Sequence, residues 1–296
     1  MRYRSNLLPF RAVIAGCARN SARDLPFVLR NIERIAGVFK QSRVVICEND
    51  SVDGTLDILN QWSAKTNLKC HILSEPLRLR SRVLRIAWAR NRILECIRLH
   101  ALDSYDYLVM MDMDEVNKRI SLRGFLTSFN YPFDWDVMCA NQLDYYYDFF
   151  ALRTDKYDIN PWGPAERHRW TDGTDLSLWF EPGVSGGKRI PVNSDPIPVL
   201  SCFGGLGIYR MSSIEGVTYK PERVLNEDGS QFTHPDTGID EYDCEHASFH
   251  KQMRDRHGAK IYINPRMINN ANRYHRFLDL IFRFFHLRIT KNDRKQ

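Results

Sequence analysis

Four short runs of apolar residues recur along the first half of the chain: Ala12-Val13-Ile14-Ala15, Val44-Val45-Ile46-Cys47, Cys70-His71-Ile72-Leu73 and Leu108-Val109-Met110-Met111. A run that is apolar without alternation reads as a strand buried on both faces. Between the runs the period lengthens to that of a helix. Asp24 and Pro26 open one helix, with Phe27, Leu29, Ile32 and Ile35 on its inner side. A second places Leu56, Leu59 and Trp62 inward. A third runs from about Ser81 to His100 with Val83, Ile86, Ile93 and Ile97 at helical spacing. Strands alternating with helices predict an α/β fold: a mostly parallel central sheet, right-handed crossovers and flanking helices.

The second half is less regular. Trp135 to Ala140 predicts another buried strand, but from Asp144 to about Pro198 aromatics, Gly and Pro interrupt every run. That stretch, about 144–198, reads as an irregular insertion. Order returns between Ser201 and Arg210, a helix is expected from near Cys244 to near Gly258, and Lys260 to Pro265 reads as a strand. The pattern divides the chain into one domain over 1–270 and a C-terminal segment over 271–296. In that segment Arg276, Asp279, Arg283 and His286 form a narrow polar stripe on an otherwise apolar helix, ahead of a basic tail. Such a helix docks on its own domain or lies in a membrane interface.

Composition changes this picture little. The chain has 296 residues, a formal net charge of +6 and seven cysteines. The charge suits an anionic partner. The cysteines are scattered singly with no C-x-x-C pair, which predicts free thiols in a reducing compartment. No signal-peptide core and no bilayer-length apolar run is visible. The expectation is a cytoplasmic protein, with peripheral membrane contact through the C-terminal helix left open.

The candidate chemistry gathers at strand ends. Asp112-Met113-Asp114 closes the fourth apolar run. In extended backbone residues i and i+2 point the same way, so both carboxylates can hold one hard cation. The bland alternative is two solvated carboxylates in a turn. The loop Glu48-Asn49-Asp50-Ser51-Val52-Asp53-Gly54-Thr55 follows a strand and precedes a helix. Its carboxylates can accept from ribose hydroxyls or a base N–H, or Asp53 and Thr55 can simply cap the helix. Seven arginines lie between Arg78 and Arg98, with Glu95 the one acidic residue among them. Arginine forks suit a diphosphate, and Arg82 and Arg90 are the candidates. Gly204 and Gly205 let a substrate approach the backbone closely. Near the end of the domain, His246 and His250 share a helix face and could bring imidazole to the cation. Glu245 could take a proton from an acceptor hydroxyl.

Taken together, Ala15-Gly16-Cys17-Ala18-Arg19-Asn20, the Glu48 to Thr55 loop, Ala89-Arg90-Asn91, Asp112-Met113-Asp114 and Cys244-Glu245-His246 resemble the GT-A (Rossmann-like) class of nucleotide-sugar glycosyltransferases. Within it the asparagine-containing loop is most similar to capsule-type fungal α-mannosyltransferases and their bacterial or viral relatives. The resemblance implies a nucleoside-diphosphate sugar donor and a glycan or lipid-linked acceptor. It implies donor contacts from Ala15, Arg19, Glu48, Asp50, Asp53, Arg82, Arg90, Asp112 and Met113. It implies Mn²⁺ or Mg²⁺ on Asp112 and Asp114, and an acceptor side lined by Gly204 and Gly205. Many inverting members carry Glu-Asp where this chain has Glu245-His246. The departure leaves His246 as a metal or diphosphate ligand and Glu245 or Asp243 as the acid–base group.

Two other classes compete. Asp112-Met113-Asp114-Glu115-Val116 also resembles the nucleophile motif of haloacid-dehalogenase-like phosphatases, which ends the first strand of its domain; here three strand–helix units precede it. A nucleic-acid-binding protein would use the arginine-rich helix, but the embedded acidic loops interrupt a continuous basic groove. The reading therefore expects no nucleic-acid partner.

Overall fold

A computed structural model describes residues 7–143, 146–158, 160, 189–235 and 237–269. The expected amphipathic helix over 271–296 and most of the expected insertion lie outside the described residues. The elements are β1 (Leu8–Ala18), α1 (Leu25–Ala36), β2 (Phe39–Glu48), α2 (Thr55–Lys65), β3 (Lys69–Ser74), α3 (Arg82–Leu99), β4 (Tyr107–Asp112), α4 (Leu122–Thr127), β5 (Val137–Gln142), β6 (Ile197–Val199), β7 (Leu206–Arg210), β8 (Thr233–His234), β9 (Ile239–Asp240), α5 (Glu245–His257) and β10 (Ile261–Asn269).

Eight strands form one sheet in the order β3-β2-β1-β4-β7-β5-β10-β6. The pairs β3–β2, β2–β1, β1–β4 and β5–β10 are parallel. β7 runs antiparallel to both β4 and β5, and β6 antiparallel to β10. The sheet is therefore mostly parallel and flanked by helices, as expected.

The apolar runs divide cleanly between two cores. Val13, Ala15, Val45, Leu108 and Met110 pack with α3 and α5 on one face. Ala12, Ile14, Val44, Ile46, Val109 and Met111 pack with α1 and α2 on the other. Burial on both faces is why these strands show no polar alternation. Fully burying each aliphatic side chain contributes about 1.5–3 kcal/mol.

Two expectations at the periphery are corrected. Phe27 is 43% exposed rather than internal; its ring takes the Arg30 guanidinium at 4.8 Å and the Lys118 ammonium at 5.2 Å. The last strand does not stop at Pro265 but runs on to Asn269, and its pairing with β5 shifts register between Ile263 and Ile268. Proline has no N–H to give to the ladder, so the strand bends past it. The Pro265 carbonyl and the Asn264 side chain remain bonded, to Asn141 and to Ser128.

All seven cysteines are free. Among the described residues no helix is long and apolar enough to cross a membrane.

Candidate active site

β4 carries the site. Its last residue is Asp112, and the pleat sends Met113 into the core at 1% exposure while Asp112 and Asp114 line the same cavities. Asp114 caps the turn Glu115–Asn117, its Oδ1 accepting from the Val116 amide at 3.1 Å. The backbone of Asp112 is pinned from below. Its amide donates to the Gly205 carbonyl at 2.9 Å, and the buried Asn117 side chain donates to the carbonyls of Asp112 and Gly205 at 2.9 and 2.6 Å.

Arg90, on α3, is 3% exposed. One arm of its fork bonds Glu245 Oε1, and the other donates to Asp112 Oδ1 at 3.2 Å. Its guanidinium lies 4.8 Å from the centre of the Phe203 ring and 5.5 Å from that of Tyr219. The two carboxylates hold this buried cation ionised against the cost of its desolvation. It ties β4 to the start of α5.

Burial, with the neighbouring Asp114 charge, pushes Asp112 up to about 7 even though Arg90 pulls it down. Asp114 is also raised by burial, partly offset by the Val116 amide. Two adjacent carboxylates that both resist ionisation are relieved by a cation between them. The Oδ2 atoms of both have no hydrogen bond among the described residues. Hard oxygen donors of this kind fit Mg²⁺ or Mn²⁺.

Two cavities, of about 660 and 410 Å³, meet at this pair and share Arg82, Ile86, Asp112 and Asp114. The smaller is lined by Arg19, Asn20, Asn49 and Met113, just past the ends of β1, β2 and β4. The larger is lined by Tyr147, Asp148, Phe203, Tyr242, Glu245 and His246. Arg82 stands exposed at the junction of the two and makes no ion pair among the described residues. Of the other arginines of the helix, Arg92 pairs with Glu75 and Glu95, Arg85 donates to the carbonyls of Leu79 and Arg80, and Arg98 is exposed near its far end.

Several of the expected site residues lie away from the two cavities. Ala15 is a fully buried core residue between β2 and β4 and reaches neither cavity. Glu48 accepts from the Ser51 amide and the Ser74 hydroxyl, and Asp53 from the Ala22 and Thr55 amides and the Thr55 hydroxyl. Asp50 accepts from the Leu77 amide at 3.2 Å. All three shape the loop and line neither cavity. Arg90 lines the larger cavity with both arms of its fork held by Asp112 and Glu245.

Both ring nitrogens of His250 are engaged away from the aspartate pair. Its Nδ1 shares a hydrogen bond with Ser201 Oγ at 2.9 Å and its Nε2 with the Tyr209 hydroxyl at 3.2 Å. His246 lines the larger cavity, stacked on Phe203 at 3.9 Å, with its buried Nε2 unpartnered among the described residues. It does not converge with the two aspartates, because the one group of three ligating side chains within 4.8 Å of one another among the described residues lies elsewhere. Burial and the nearby Arg90 push His246 well below the usual histidine range, so it stands neutral.

Asp243 accepts from Arg153 at 2.7 Å and from the Cys244 amide, away from the cavity lining. Gly204 and Gly205, at φ +63° and +80°, lie beneath the site. Gly204 gives its amide to Asp148 at 2.8 Å, and Gly205 supports Asp112.

Two residues went unselected in the sequence. Asn49 is 5% exposed, lines the smaller cavity, and its buried Nδ2 has no partner among the described residues. Asp148 sits inside an aromatic run that read as irregular. Burial raises its carboxyl, and it lines the larger cavity.

No family model matches the chain, and no curated protein sequence matches it. Solved structures do. The chain is similar to S. aureus TarS residues 1–349 at 13% identity, covering 88% of this chain and 60% of that one, with a TM-score of 0.44. It is similar to the mannosyltransferase PcManGT from Pyrobaculum calidifontis, in complex with GDP-Man and Mn²⁺, at 14% identity over 91% of this chain and 60% of that one, TM-score 0.46. It is also similar to the glucosyl-3-phosphoglycerate synthase from Mycobacterium tuberculosis, in complex with Mn²⁺, UDP and phosphoglyceric acid, at 11% identity over 93% and 75%, TM-score 0.45. The chain spans about 60% of the length of the first two.

Proposed function

We propose that the chain is a metal-dependent glycosyltransferase of the GT-A class, moving a sugar from a nucleoside-diphosphate sugar to a hydroxyl of a glycan or lipid-linked acceptor. The observation that carries this reading is the junction of two cavities at Asp112, Asp114 and Arg82. A donor lying across it would put its nucleoside beside Asn49 and Arg19, its diphosphate at the aspartates and Arg82, and its sugar in the larger cavity. The similar structures include complexes with GDP-Man and with UDP, which accords with this arrangement.

Asp112 and Asp114 would hold Mn²⁺ or Mg²⁺, and the bound ion would supply positive charge against the leaving diphosphate. Arg82 adds a guanidinium that makes no ion pair among the described residues. As the acceptor oxygen bonds to the anomeric carbon, the bond from that carbon to the diphosphate oxygen breaks and the hydroxyl loses its proton. Glu245 would receive that proton, a role supported by its lining of the sugar-side cavity and by the Arg90 bond that orients Oε1. His246 lines the same cavity, and a turn of its ring would let the buried Nε2, unpartnered among the described residues, accept a hydroxyl hydrogen bond.

The finer resemblance to capsule-type fungal α-mannosyltransferases rests on the Glu48-Asn49-Asp50 loop alone. Screening UDP-, GDP- and CDP-sugars with and without Mn²⁺ identifies the donor, since a ligand of the native state raises its apparent melting temperature. With that donor, Asp114→Ala is expected to abolish metal-dependent hydrolysis or transfer while the protein stays folded. Full activity of this variant in EDTA would overturn the reading.

A further inference from the structure

At the far end of α3 from this junction lies a second group of ligating side chains. Cys96 and His100 are one turn apart and so share a face of the helix. His71 faces them from β3, the edge strand of the sheet. A ring nitrogen of each histidine and the Cys96 sulfur all lie within 4.8 Å of one another. The two imidazole rings are 4.1 Å apart between centres and tilted by 32°. Cys96 is buried at 5% exposure, His71 is half-buried and His100 is exposed, so one side of the group is open to solvent.

We propose that His71, Cys96 and His100 bind one thiophilic divalent cation of the Zn²⁺ class, at a site separate from the aspartate pair. The donor set decides the ion. A thiolate with two imidazoles selects Zn²⁺ or Co²⁺ over Mg²⁺ and Mn²⁺, whereas two carboxylates do the reverse. Bonds of roughly 2.0–2.3 Å put ligand atoms about 3.3–3.8 Å apart in a tetrahedral shell, so rotations of about 1 Å at the side-chain tips complete the three-ligand set. Water takes the fourth position from the exposed side. Binding releases the thiol proton to solvent as the metal–sulfur bond forms. The last turn of α3 adds the favourable end of its dipole for a cation.

A metal here clips the edge strand to the helix that also bears Arg82 and Arg90. From Arg90 to His100 is ten residues, or roughly 15 Å of helix, so the clip acts on the same rigid element at a distance from the chemistry.

The test is titration of the full-length chain, stripped with a chelator, with Co²⁺. One equivalent is expected to bind with visible d–d bands and a near-ultraviolet thiolate-to-cobalt band. Cys96→Ser should abolish the thiolate band, His100→Gln should weaken binding at least about tenfold, and Asp114→Ala should leave both unchanged. His100 is exposed, so its variant remains decisive if Cys96→Ser fails to fold. Absence of the thiolate band in the wild-type chain, wild-type affinity in a folded His100→Gln, or loss of the band in Asp114→Ala overturns the assignment.

Discussion

The Arg90 guanidinium donates to Asp112 across 3.2 Å from a position almost closed to solvent, while its other arm holds Glu245. Two elements that the chain separates by 155 residues, α3 and the first turn of α5, are joined through this side chain. Without it, the buried Glu245 carboxylate would lose its ion-pair partner and Asp112 the nearer of its two arginines.

Arg90→Lys should therefore be costly despite preserving charge. An ammonium is a point donor and cannot span both carboxylates as the planar fork does. Breaking a buried pair of this kind costs about 3–5 kcal/mol. Urea unfolding is expected to show a loss in that range, and an unchanged midpoint would contradict the tie.

How much of this was legible in the sequence depends on whether the signal is local. Strands β1, β2, β4 and β5 stood out because burial on both faces leaves an uninterrupted apolar run. The ends of α3 and α5 stood out because Ser81 caps one and Gly258, at φ +62°, closes the other. Strand order has no such mark: nothing in Leu206 to Arg210 says that it inserts antiparallel between β4 and β5. The aspartate pair was legible for the same local reason, period two at a strand end. The roles of His250 and Arg90 were not. Helical spacing says which side chains share a face, but not that Tyr209 and Ser201, or Glu245, will be waiting there.

Gly205→Ala tests the support under Asp112. A Cβ at that position would come within 2.6 Å of Val116, at a φ of +80° that alanine adopts only with strain. The expected cost is at least about 1 kcal/mol in stability. Because the Gly205 carbonyl accepts from the Asp112 amide, a larger proportional loss in metal affinity should accompany it. A stable variant with unchanged metal binding would show that this support is dispensable.

His250 gives a pH dependence with a definite sign. Burial, with the charges of Arg254 and Arg90, pushes it down to about 3, against 6.5 for a free histidine. Between those values the unfolded chain binds a proton that the folded chain refuses. The stability it contributes is full above pH 6.5 and falls as pH drops toward 3, by up to about 1.4 kcal/mol per unit. The advantage of wild type over His250→Asn should shrink on acidification from about pH 7 to about pH 4.5, measured by urea unfolding. An advantage that grows instead would mean that His250 is charged in the folded state.

Asn49→Ala removes a buried amide whose Nδ2 has no partner among the described residues, so the fold should lose little. If the smaller cavity takes the nucleoside, nucleotide affinity should fall about 5- to 150-fold, the equivalent of 1–3 kcal/mol for a buried polar group left unmatched. Equal affinity in calorimetry would remove Asn49 from the donor site.

The central claim is that the aspartate pair supplies only part of a cation's shell and that the donor diphosphate supplies more. Titration calorimetry of the chain with Mn²⁺, with UDP or GDP, and with both together measures this directly. The account predicts weak Mn²⁺ binding to the aspartate pair alone, at least about tenfold tighter nucleotide binding with Mn²⁺ present, and loss of that enhancement in Asp114→Asn. Nucleotide binding that is equally tight in EDTA, or an enhancement that survives in a folded Asp114→Asn, would contradict it.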